Sequence, residues 1–149
     1  MNNVLTDTLQ VHDVQRLMSS YCRFVDKKKW DQLERLLVKD VNLVFQDEAG
    51  NALYSFDSPG AFTQAAKDGI GESATVHHLH NPEIEILTDT EARGIWAMED
   101  RFYFPVHAPK PYFHGYGHYH VTFIRINEDW QILDLLLTRV RLVVTDIGG

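Results

Sequence analysis

The chain has 149 residues, with 14 Lys and Arg against 21 Asp and Glu for a net charge of −7. That length suits one domain over residues 1–149, and 44% hydrophobic with 23% charged residues excludes wholesale disorder. The acidic balance repels phosphates, which disfavours nucleic acid and anionic membranes as partners, and the lone Cys22 has no intramolecular disulfide partner.

No apolar run reaches the ~18 residues of a membrane span. The first ten residues lack a basic start followed by an apolar stretch, so a cytoplasmic location is expected. From Leu9 to Val25 the apolar residues Val14, Leu17, Met18, Tyr21 and Val25 recur at helical spacing, which predicts an amphipathic helix with Tyr21 facing inward. Asp26 follows its end, before three lysines placed where a helix C-terminus favours cations. A second helix is expected over Trp30 to Val38. Alternation begins at Val41, Leu43 and Phe45, a turn is expected over Asp47 to Asn51, and a short strand over Ala52 to Phe56. Ser58-Pro59 reads as an N-cap and first helical position for a helix over Gly60 to Lys67.

The second half reads as strand: Thr75 to His80, Glu83 to Leu87, Ala92 to Phe104, Gly117 to Asn127 and Trp130 to Val144. Turns are expected at Asn81-Pro82, Asp89-Thr90 and residues 127–129. Pro105 to Gly115 reads as a proline-stiffened loop. Helices first and antiparallel strands afterwards imply an α+β domain, a curved and mostly antiparallel sheet wrapped as a cone around the early helices. Such a cone can leave an apolar pocket between helix and sheet.

Alternation places Ala92, Gly94, Trp96, Met98, Asp100, Phe102 and Phe104 on one strand face, apolar except for Asp100. A carboxylate there needs a partner. It either pairs with Arg139 or Arg141 to fix register, or it works in a site. His77 faces with Leu79, whereas His78 and His80 face the other way. Asp26, after a helix and beside lysines, reads from its surroundings as a solvated turn residue. His118 and His120 share a face and could offer two imidazoles to a metal, but a third ligand would have to come from elsewhere, with His114 nearby in the loop, and they fit a rim or subunit contact better. No Gly-rich phosphate loop, CxxC pair or nucleophile elbow occurs, and Cys22 reads as core packing.

The order of motifs is distinctive. An inward Tyr21 and nearby Asp26 precede Trp30-Asp31. Thr75 to Asn81 reads Thr-Val-His-His-Leu-His-Asn, and Trp96 to Asp100 reads Trp-Ala-Met-Glu-Asp. Gly117-His118-Tyr119, Asp129-Trp130-Gln131-Ile132 and Thr138 to Arg141 (Thr-Arg-Val-Arg) close the series. This resembles the SnoaL-like branch of the nuclear transport factor 2-like superfamily over roughly residues 9–144, with scytalone dehydratase, bile acid 7α-dehydratase and hexachlorocyclohexane dehydrochlorinase among its relatives.

The resemblance implies a cofactor-independent lyase or isomerase of the dehydratase type, without metal. It carries the dehydratase positions onto His77 as general base, Asp26 as its partner, and Tyr21, Asp100 and Arg139 as the remaining polar residues, with Arg141 competing with Arg139. Asp100 would orient Tyr21 or His77, or act as a second acid–base group. Trp96, Met98, Phe102, Leu17 and Phe45 would line a pocket for a small hydrophobic ring compound of aromatic, polyketide or steroid-like type. Tyr112, Phe113 and His114 would ride on a loop over its mouth. A homodimer or homotrimer is expected. The same superfamily includes the small subunit of aromatic-ring-hydroxylating dioxygenases, which implies a non-catalytic scaffold or ligand-binding subunit as the alternative.

Overall fold

The computed structural model describes residues 4–105 and 112–145. Helix α1 (Val4–Asp26) buries Val14, Leu17, Met18, Tyr21, Cys22 and Val25 at the spacing of one helix face. A five-residue helix α2 (Trp30–Glu34) follows and buries Leu33. Strands β1 (Leu37–Gln46) and β2 (Ala52–Phe56) form a hairpin. Its turn is held by Asp47, whose carboxylate accepts from the backbone of Ala49 and Asn51 at 2.9 Å each. In α3 (Pro59–Ile70) the Ser58 side chain caps the first turn and Pro59 opens the helix.

Four long strands then make most of the sheet: β3 (Ala74–Ile86), β4 (Glu91–Tyr103), β5 (Tyr112–Ile126) and β6 (Asp129–Thr145). The order across the sheet is β2-β1-β6-β5-β4-β3. Every pairing is antiparallel except β1 with β6. The curved sheet wraps its inner face around the helices, as an α+β cone. Ala92, Gly94, Trp96, Met98 and Asp100 of β4 are all buried on that face, and β3, an edge strand, packs against α1.

Three local expectations are corrected. The second helix stops at Glu34, and Leu37 and Val38 belong to β1. An apolar run such as Leu36-Leu37-Val38 suits either state. Here the Ile132 N–H donates to the Leu36 carbonyl at 2.7 Å and Leu37 pairs with Ile132, so the ladder prevails. Asn81-Pro82 is no chain reversal. Strand β3 runs through it with an irregularity between His80 and Glu83 and a positive φ of 48° at Asn81. An edge strand tolerates the missing proline N–H at a bulge. Finally, Tyr112, Phe113 and His114 lie in β5, where Phe113 pairs with Phe102 and His114 with Arg101, and not in a loop over a mouth. The remainder of the expected loop, residues 106–111, lies outside the described residues.

Candidate active site

Asp26 ends α1, where the helix dipole disfavours a carboxylate. Three donors compensate. Its Oδ1 accepts from the Thr75 hydroxyl at 2.9 Å and lies 2.6 Å from Nδ1 of His77. Its Oδ2 accepts from the His77 backbone N–H at 2.9 Å. That N–H lies on the free edge of β3, where no neighbouring strand can take it, so one carboxylate ties the helix end to the sheet edge and clamps the His77 ring. The His77 side chain is 8% exposed and that of Asp26 22%.

A carboxylate can only accept, so Nδ1 of His77 carries the proton toward Asp26. In the neutral ring Nε2 is then the free base, the tautomer that general-base chemistry needs. The ring edge meets Phe102 with centroids 6.0 Å apart, and Phe102 meets Phe113 edge-on at 5.1 Å.

Directly across from His77 on β4 is Asp100. Its two oxygens are engaged by Arg139 of β6, Nη1 to Oδ1 at 2.7 Å and Nη2 to Oδ2 at 2.9 Å. The fork is buried, with side chains 9% and 4% exposed. The guanidinium also lies 5.4 Å from the Phe113 ring centroid. The two ends are joined over β5 because Gly115, opposite Asp100, has no side chain. A Cβ there would stand 2.3 Å from Nη1 of Arg139 and 2.6 Å from Oδ1 of Asp100.

Tyr21 is buried beside this fork, its ring edge-on to Tyr119 with centroids 6.0 Å apart. Burial, then the neighbouring Cys22 and the charge of Asp100, push the Tyr21 hydroxyl far above its ordinary range. Tyr119 is raised in the same way, burial again first. Both phenols are therefore donors, not bases, near neutral pH.

Of the five polar residues that the resemblance marks, four form two pairs, Asp26 with His77 and Asp100 with Arg139; Tyr21, the fifth, is buried on α1. Arg141 is exposed; the register shift between Tyr116 and Gly117 in the pairing of β5 with β6 separates it from Arg139. The apolar set divides. Leu17, Trp96 and Met98 are buried in the core, and Phe45 packs against Phe56 and Phe62. Phe102 alone of the five has a ring contact with the dyad. A recess of about 400 Å³ reaches the dyad along the β3 edge, lined by Ser19, Cys22, Arg23 and Lys27 of α1 and its end and by His78, Leu79 and His80 of β3, with Asp26 and His77. Sequence reasoning missed three contributors. Thr75 gave a signal as a hydroxyl two residues before His77 on one face. Phe113 was misplaced in a loop, and Gly115 gave none.

A cone of six mostly antiparallel strands around N-terminal helices is the nuclear transport factor 2-like fold. The chain belongs to the SnoaL-like domain family, whose model matches residues 6–135. It is 25% identical over 133 residues to the Probable cyclase FGR4 of Gibberella zeae, covering 85% of this chain and 89% of that protein. Solved structures share the fold. A provisionally named scytalone dehydratase of Novosphingobium aromaticivorans superposes with a TM-score of 0.83 at 19% identity, covering 99% of both chains. A type 2 hexachlorocyclohexane dehydrochlorinase, LinA, gives 0.82 at 15% identity, over 99% of this chain and 96% of that one. The β subunit of benzoate 1,2-dioxygenase from Burkholderia mallei gives 0.69 at 11% identity, over 93% and 91%.

Proposed function

We propose that the chain is a cofactor-independent lyase or isomerase of the dehydratase type, acting on a small hydrophobic ring compound. The observation that carries this reading is the 2.6 Å contact between Asp26 and Nδ1 of His77. Family membership supports it, as do a dehydratase, a dehydrochlorinase and a cyclase among the similar proteins.

In the proposed reaction Nε2 of His77 takes a proton from a carbon next to an activating group. The electron pair left behind forms a new double bond, either expelling a leaving group or shifting an existing double bond, in which case the His77 imidazolium returns the proton to another carbon of the ring. Asp26 holds the ring orientation and stabilises the imidazolium as it forms. Tyr21 donates to a carbonyl or leaving oxygen. Arg139 offsets developing negative charge with the N–H groups that Asp100 does not use, and Asp100 holds the guanidinium in place. Phe102 is the proposed apolar wall for the substrate ring, with Trp96, Met98, Leu17 and Phe45 packed as the apolar surroundings. The protein would work in the cytoplasm as a homodimer or homotrimer.

The second reading is a non-catalytic subunit of the kind the dioxygenase β subunit represents, favoured by the shared fold alone. The variants Asp26→Asn and His77→Gln separate the two. The enzyme reading expects each to lower turnover of a responding ring substrate by about 10²–10⁴ with the fold intact. Unchanged turnover in both would rule it out.

A further inference from the structure

The outer face of the sheet, away from the helices, carries a separate cluster of titratable side chains. Strand β3 presents His78 and His80 there, β4 presents Ala97 and Glu99, and β5 presents His118 and His120. His78 stands opposite Glu99, and His80 opposite Ala97, so the small methyl group leaves the space between the two imidazoles and the carboxylate open. One donor atom from each of His78, His80 and Glu99 lies within 4.8 Å of the other two. Nδ1 of His78 is 3.9 Å from Oε1 of Glu99, and the two imidazole centroids are 6.2 Å apart.

We propose that His78, His80 and Glu99 bind one divalent transition-metal ion, of the class of Zn²⁺. Two imidazoles and a carboxylate on adjacent strands are a three-ligand set of the kind that leaves a fourth tetrahedral position for water. Bonds of about 2.0–2.2 Å place tetrahedral donors roughly 3.3–3.6 Å apart. Both histidines are exposed, so small rotations about their side-chain bonds close the remaining gap. The single oxygen donor disfavours Ca²⁺ and Mg²⁺, which take oxygen shells. One cation already faces the carboxylate: Nη2 of Arg101 lies 3.8 Å from Oε1 of Glu99, beyond hydrogen-bond reach, and its side chain is hydrogen-bonded to Tyr103 instead. His77 points to the opposite face of β3 from these ligands, and His78 and His80 meet the dyad's recess at the strand edge.

The test is a calorimetric titration of tag-free, metal-stripped chain with Zn²⁺, repeated with Co²⁺ to read its visible ligand-field absorption. The parent should bind one ion per chain. His78→Ala and His80→Ala should each weaken binding at least about tenfold, Glu99→Gln should weaken it less, and His118→Ala should leave it unchanged. Should an alanine variant melt early without metal, His78→Asn and His80→Asn replace it. Absence of Zn²⁺ binding would overturn the proposal. So would binding that survives loss of both His78 and His80, or binding lost on removing His118 or His120 instead.

Discussion

His77 and Asp100 stand opposite one another on β3 and β4, yet each is held by a partner from a different element. Asp26 of α1 takes His77, and Arg139 of β6 takes Asp100. The two pairs therefore pin a helix end and a distant strand onto the same two neighbouring strands. The site and the closure of the cone share these contacts.

Breaking the buried fork by removing one partner strands the other charge. Asp100→Ala should cost about 3–5 kcal/mol, whereas the double change Asp100→Leu with Arg139→Met should cost far less. Urea unfolding of the three proteins checks this. A single variant as stable as the parent, or a double variant less stable than the single, would contradict the account.

Gly115 tests the same fork without altering a charge. Gly115→Ala places a methyl group 2.3 Å from Nη1 of Arg139. Relief requires the guanidinium to move off Asp100, at a cost of about 1–3 kcal/mol for overpacking. Thermal unfolding should show a lowered Tm. An unchanged Tm would mean that the fork has slack.

The raised tyrosines fix a sign for the alkaline limb of stability. Burial holds Tyr21 and Tyr119 protonated in the folded chain beyond the ordinary tyrosine value of about 10. The folded state then binds protons more tightly than the unfolded one. Their stabilisation is complete below about pH 10 and is lost as pH rises beyond it. Tm followed from about pH 8 to about pH 11 should fall above pH 10, and Tyr21→Phe should flatten that fall. A fall equally steep in the variant would assign it to other groups.

Much of the architecture was legible because the long elements carry clean periods. The α1 stripe from Val14 to Val25 and the β4 alternation from Ala92 to Asp100 place their residues on the buried side directly. Short apolar runs were not legible. Leu36-Leu37-Val38 fits a helix as well as a strand, and only pairing with β6, almost a hundred residues away, decides it. Asn81-Pro82 carries strong turn chemistry, but the ladder on one side of an edge strand overrides it. Asp26 and His77, 51 residues apart, cannot be joined by spacing. The resemblance of the motifs brought them together, and the free β3 edge supplies the physical reason they meet. Arg139 and Arg141 share strand parity. The register shift between β5 and β6, which no single residue announces, decides which of them reaches Asp100.

Proton abstraction at Nε2 of His77 is the central claim, and solvent exchange reads it most directly. Ring compounds with one or two oxygens and an acidic C–H are incubated with the chain in D₂O and followed by NMR. The account predicts that a compound raising the Tm exchanges that hydrogen or eliminates with the parent chain, and does neither with folded His77→Gln. Equal exchange or elimination with both proteins, or tight binding of such compounds with neither exchange nor elimination, would contradict it.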